Sequence, residues 1–355
     1  MAVLVHLTKV CALPHKFCLK LALLGVLVVP LAGFALPAVK PNASKLTLHS
    51  LAVNASPIRN FSKSGSNDLF GRLRFRGGLV LSSSDRAFGG LSGIEISPDG
   101  RHLLAVSDAG AWFRARLNYK GKRPTGLDKA TIGPILALGN KRLRRGRDRD
   151  AEAIRLFKGD LNNGIALVGF ERNQRIGFFK IKGGRLMSPQ RYLRPPTRLR
   201  ANKGIEAAGV IRTGAHKGGV IAFAERTLDR NGHHQGWLWH GGKRHPLALT
   251  NVGDFDITDI AGGPKGGVYV LERRFRWTEG VKMRIRRLAV KNIKRGAVLR
   301  GETMIAANLG YHIDNMEGLA IHQDKAKRTI LTLISDDNFN SFLQRTMLLQ
   351  FEVVR

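Results

Sequence analysis

The sequence predicts an all-β fold, a β-propeller of five to six four-stranded blades. Three observations predict it. Acidic residues recur at a near-constant spacing, and short β-prone runs alternate with glycine-containing turns. No stretch sustains a 3.6-residue apolar period beyond about two turns.

The acids carry most of this reading. The chain has 26 Asp and Glu against 59 Lys and Arg, and 16 of the acids fall into one pattern. A Gly/Asn-rich turn with one or more carboxylates is followed, 13 to 19 residues later, by an apolar run ending in an acid. The copies are Glu95 then Asp108; Asp148, Asp150 and Glu152 then Glu171; Glu206 then Glu225; Asp254, Asp256 and Asp259 then Glu272; Asp314 and Glu317 then Asp336 and Asp337. The lead acids Glu95, Glu152, Glu206, Asp259 and Glu317 are 57, 54, 53 and 58 residues apart. A fixed period of that size marks a repeat architecture.

The strands fit the same period. Runs such as Leu73–Ser82, His102–Ser107, Gly164–Phe170, Gly219–Phe223, Gly267–Leu271, Thr329–Ile334 and Met347–Val353 are separated by turn signals such as Pro98-Asp99-Gly100 and Lys182-Gly183-Gly184. A unit of 50-odd residues holds four strands and their loops, the size of one propeller blade. A lone four-stranded sheet leaves both faces bare. Stacked radially, each sheet covers its neighbour, and a closed ring exposes only short edges. The run Leu73–Ser82 either completes the last sheet beside Met347–Val353 or belongs to a degenerate sixth blade.

The termini divide the chain. Residues 1–35 read as a signal peptide: Lys9, Lys16 and Lys20 precede the apolar run Leu21–Ala35, which closes on Gly33-Phe34-Ala35. Residues 36–68 are rich in Ser, Asn and Pro and read as a flexible leader, and 69–355 as the propeller. Cys11 and Cys18 both precede the expected cleavage point, so no disulfide or Cys-based metal site is expected afterwards. Export to the periplasm or beyond is the expectation. A monomer with no membrane span after cleavage is expected too.

The net charge of +33 points to an anionic small molecule or a polyanion as partner. Nucleic acid is not expected, because export disfavours it and no helix-turn-helix, RNP-type or zinc-finger spacing is present. A solvated cationic surface with no such partner accounts for the charge equally well.

In a propeller the innermost strands line a central channel, so acids at equivalent points of the repeats converge. Crowded carboxylates stay ionised only beside a compensating cation. Many hard oxygen donors, without Cys or an ordered His pair, suit Ca²⁺ first and Mg²⁺ or Mn²⁺ next. Alternatively each acid pairs with a local arginine, as in Glu171-Arg172, Glu225-Arg226 and Glu272-Arg273-Arg274, with no metal at all.

The segments Gly90-Leu91-Ser92-Gly93-Ile94-Glu95, Ser107-Asp108, Asp254–Asp259, Leu271–Phe275, Asp314–Ala320, Ser335–Asn340 and Gln344–Phe351, in that order, resemble the phytase-like domain family over roughly residues 75–355. The resemblance implies a secreted propeller and, through the alkaline propeller phytases, Ca²⁺-dependent hydrolysis of phosphate esters or related esters. On that reading Glu95, Asp108, Glu152, Glu206, Asp256, Asp259, Glu317, Asp336 and Asp337 form the cation shell. Arg273, Arg274 and Arg345 are candidate phosphate clamps; Glu317, Asp336, Arg273 and Arg345 are the expected catalytic set. Gly90-Leu91-Ser92-Gly93 is not a nucleophile elbow, so Ser92 is read as a turn residue. His233, His234, His240 and His245, near Trp237 and Trp239, lack a zinc spacing and read as an exposed loop. The alternative function is a non-catalytic propeller whose basic rim binds an anionic glycan, lipid or protein partner. A lactonase-like hydrolase with a central Ca²⁺ is a third.

Overall fold

The computed structural model describes residues 40, 41, 43, 45–196 and 204–354. The expected signal peptide, residues 1–35, lies outside them. Five sheets of four to six strands form a five-bladed propeller. Blades one to five have the inner strands Leu91–Ile96, Ala151–Gly159, Ile205–Val210, Asp256–Gly262 and Met316–Gln323. Each inner strand packs against the next, and the fifth packs against the first.

The ring closes through the first alternative read from the sequence. Leu73–Ser82 pairs antiparallel with Thr346–Val353 in blade five, so no sixth blade forms. Part of the stretch read as a leader is also strand. Asn54–Ile58 pairs with Leu73–Ser82 in blade five, and His49–Ser50 edges blade one. Phe61 is fully buried between blades four and five, stacked on Tyr311 and edge-on to Phe351.

The apolar runs produce five separate cores, one at each blade interface. Burial on both faces explains why these strands read as continuous apolar runs rather than as alternating ones. At two points neighbouring inner strands approach too closely for a side chain. A Cβ on Gly93 would stand 2.9 Å from the backbone of Glu152 and Ala153, and one on Gly318 would stand 3.0 Å from Ile94 N. Small residues therefore let the inner strands approach and draw their functional side chains to one axis.

Among the described residues no helix is long and apolar enough to cross a membrane. His234–His240 is a strand rather than a loop. His234 is buried, and Trp237 packs into the core between blades two and three.

Candidate metal centre at the channel mouth

Every inner strand carries a bulge near its start. Pairing with the second strand skips Ser92, Glu152, Glu206, Thr258 and Glu317 in blades one to five. A bulge re-aims its extra residue, and here the same device recurs five times around one axis. A second tier follows from the same pairing. One residue past the partner of each bulge's leading residue stand Asp108, Glu171, Glu225, Arg273 and Asp336. A third tier stands two residues before each bulge: Gly90, Asp150, Gly204, Asp256 and Asn315. The carbonyls of Gly90, Asp150, Gly204 and Asn315 accept from the N–H of Asp108, Glu171, Glu225 and Asp336 at 2.9–3.1 Å, and Asp256 pairs with Arg273.

These tiers gather most of the expected shell at one end of the channel: Asp108, Glu152, Glu206, Asp256, Glu317, Asp336 and the neighbouring Asp337. They also bring Asp150, Glu171 and Glu225, which the expected shell left out although all three stood in the recurring pattern. Glu171 and Glu225 end apolar runs just as Asp108 and Asp336 do, and that was the available signal.

Three of the acids that open or close a repeat stand apart from the tiers. Glu95 lies three residues deeper than the bulge, where its carboxylate accepts from Leu156 N at 2.7 Å and Ile96 N at 3.0 Å. Asp259 is fully buried, forms an ion pair with Arg155 and accepts from Leu319 N at 2.7 Å and Ile260 N at 2.8 Å. Arg155 also donates to Ile94 O at 2.8 Å and Ile260 O at 3.0 Å, so this pair fastens blades one, two, four and five across the axis. Glu272, the expected acid of repeat four, turns into the sheet against Arg284 at 2.7 Å and Arg286. Arg273 takes the channel position instead.

Arg273 is the one cation in the second tier. Its guanidinium lies 3.3 Å from Glu317 and 3.7 Å from Glu225, and it donates to Asn315. Arg226 pairs with Asp256 and, at 3.8 Å, with Glu225. Arg172 pairs with Asp150 at 2.9 Å, not with Glu171. Lys40, ahead of the first strand, pairs with Asp108. Arg345 is exposed at the rim, 3.6 Å from Asp314, and lines a cavity of about 740 Å³ with Lys40, Phe88, Asp337 and Phe339. Arg274 pairs with Glu279, away from the tiers. Asp337 holds the Gly89-Gly90 turn, its Oδ1 accepting from Gly90 N at 2.9 Å. Ser92 is buried at the first bulge and donates to Gly90 O at 3.3 Å.

Local arginines therefore satisfy part of the cluster, but carboxylates remain in excess. Among the described residues neither Glu152 nor Glu206 forms a close ion pair, although Arg226 and Arg273 stand near enough to Glu206 to attract it. Burial holds both acids well above the ordinary carboxylate range, with Asp150 and Asp108 adding to it for Glu152, and Glu152 and Glu225 for Glu206. Glu171 and Glu225 are pushed up to about 7, first by burial, then by Asp150 beside Glu171 and by Asp256 beside Glu225, where Arg226 pulls the other way. Asp336 is held well above its usual range by burial, then by Asp108 and Glu317.

These shifts set a stability window. A carboxyl raised in the folded state stabilises fully below its unfolded value, and that contribution is lost as pH rises through the folded value. Without divalent cations the melting temperature should fall by about 5 °C or more between about pH 5 and pH 8. Added Ca²⁺ should flatten the slope, which thermal melts across that range would read. A slope unchanged by Ca²⁺ would mean that no cation relieves the crowding.

Two trios have the spacing of a cation site. One ligand atom from each of Asp150, Glu152 and Glu171 lies within 4.8 Å of the others, and so it is for Glu171, Glu206 and Glu225. Glu171 belongs to both. Asp108 Oδ1 is buried without a hydrogen-bond partner. The donors are all carboxylate oxygens, so the residues present fit a hard divalent ion.

A family model described as "Phytase-like: Esterase-like activity of phytase" matches residues 86–339, well over half the chain. No curated protein sequence matches significantly. Solved structures with a similar backbone include the α-L-arabinofuranosidase PaAbf62A from Podospora anserina, in complex with cellotriose. It is 10% identical with a TM-score of 0.45, covering 79% of this chain and 97% of that one. The catalytic domain of the Coprinopsis cinerea GH62 α-L-arabinofuranosidase is 11% identical with a TM-score of 0.44, covering 81% and 99%. Values this low say nothing of substrate.

Proposed function

This chain belongs to the phytase-like family, and from that premise we propose that it is a divalent-cation-dependent hydrolase of phosphate esters or related esters, acting at the carboxylate mouth. Export, as read from residues 1–35, is part of the proposal.

One observation carries the reading: two carboxylate trios share Glu171. A shared carboxylate suits two adjacent ions, of which Ca²⁺ fits the all-oxygen donors best. When bound, such ions neutralise ester charge and lower the pKa of water. The chain's own residues do the rest. Asp150, Glu152, Glu171, Glu206 and Glu225 hold the ions. Arg273, set between Glu225 and Glu317, presents a planar fork for anionic ester oxygens. Arg345, at the rim beside the 740 Å³ cavity, supplies a second contact. Asp336, in the same tier as Arg273, is placed to pass a proton to the departing oxygen.

The test is turnover of a phosphomonoester and a carboxyl ester by purified protein, with Ca²⁺ and with chelator. Chelator-sensitive release of phosphate is expected. Arg273→Ala should lower it about 100-fold, the scale of one lost charge-stabilising donor, while cation binding persists. Turnover indifferent to chelator, or full activity in Arg273→Ala, would remove the proposal's basis.

A further inference from the structure

The mouth end of the propeller has a second property, separate from its acids. Inner strands begin there and second strands end there. The crossings into each inner strand, and the hairpins joining second to third strands, therefore gather at that end. Eleven large apolar side chains are exposed among the described residues, and only Leu48, Leu69 and Val298 lie away from those connections. The rest form tips around the ring. They include Leu138 between blades one and two, Leu228 in blade three, Val252 between blades three and four, Trp277 in blade four, Leu309 between blades four and five, and Phe342 in blade five. Trp277 is 93% exposed and Phe342 is 94% exposed, extreme values for large aromatic side chains.

Cations alternate with these tips along the chain. Arg274-Phe275-Arg276-Trp277 makes one tip, Phe342-Leu343-Gln344-Arg345 another, and Leu138 is followed by Lys141, Arg142, Arg144 and Arg145, all exposed. Most acids of this end are sunk in the channel. Asp254 and Glu279 reach the Trp277 tip, where Arg274, Arg276 and Lys282 pair with them and leave cations in excess. A protein interface gathers its apolar residues into a charge-poor core. Here the tips at Leu138, Leu228, Trp277 and Phe342 sit on different loops, each with an exposed arginine close by in the chain. These tips all stand at one end of the propeller. Aromatic rings at headgroup depth, with basic residues beside them, suit an anionic lipid surface.

We propose that the mouth end of the propeller docks on an anionic lipid bilayer, with Trp277 and Phe342 seated in the headgroup layer. The inference stands apart from hydrolysis, since neither residue belongs to the carboxylate tiers.

Co-sedimentation of the purified protein with vesicles tests it, using phosphatidylcholine alone and phosphatidylcholine with about a third phosphatidylglycerol, at about 0.1 M salt. The protein should pellet with the anionic vesicles and not with the neutral ones. Three of the four tryptophans are buried or half-buried, so Trp277 emission should shift to the blue on binding. The double variant Trp277→Ala, Phe342→Ala should bind about tenfold or more weakly, with an unchanged melting temperature. Glu206→Gln should bind vesicles as the wild type does, which separates this inference from the hydrolase proposal. Failure to pellet with anionic vesicles would overturn it. So would equal binding by the double variant, which would make the face a general polyanion surface held by charge alone.

Discussion

Glu171→Gln is expected to lose divalent-cation binding at both carboxylate trios together, by about 100-fold or more in affinity. Removing a group that merely orients a metal ligand costs 10- to 100-fold, and Glu171 is a direct donor shared by both trios. The exchange keeps the side chain's shape and removes only its charge. It also removes one of the crowded carboxyls whose titration lies at about 7, so the cation-free variant should melt no lower than the wild type at neutral pH. Titration calorimetry with Ca²⁺ reads the affinity, and a thermal melt shows that the fold persists. Glu95→Gln is the matched control. Its carboxylate is engaged by backbone N–H groups deeper in the channel, and cation binding should be unchanged.

Asp259→Ala should have the largest effect on folding. Asp259 and Arg155 are both almost fully buried, 0% and 2% exposed, and they pair across the axis. Truncating the acid strands a guanidinium in a site closed to water. Breaking a buried pair in this way costs about 3–5 kcal/mol, enough to remove much of a typical domain's stability. Replacing both partners with apolar residues, as in Arg155→Met with Asp259→Leu, should recover most of that loss. Chemical denaturation of the three proteins would test this. A small loss in Asp259→Ala would mean that the pair does not fasten the blades.

These two residues also show how far the sequence could be read. Repeat number, blade size and convergence on one axis were legible, because the acids recur with the period of a blade. The phase within each repeat was not. Carboxylates were the visible marker, so Glu95 and Asp259 were counted as lead acids. The equivalent bulge positions in those two blades hold Ser92 and Thr258 instead. The true positions are 60, 54, 52 and 59 residues apart, no more regular than the spacing read from acids alone, so spacing could not reveal the error. Repeat four failed for a related reason. Side chains alternate faces along a strand, and a one-residue slip exchanges channel for core. Glu272 went to the core with Arg284 and Arg286, and Arg273 took the channel. Bulges are properties of pairing between strands, which a linear pattern does not display. Closure by Leu73–Ser82 was one of two readings because both ends of the chain were β-prone. Only the pairing with Thr346–Val353 decides between them.

The mouth carboxylates are held together at a cost that a bound cation should relieve. The direct measurement is a Ca²⁺ titration of chelator-stripped protein at about pH 8, counting ions bound per chain. The two trios joined at Glu171 predict saturation at about two ions, with a melting temperature that rises as the sites fill. A chain that binds no divalent ion saturably, and melts alike with and without it, would contradict a metal centre at the mouth.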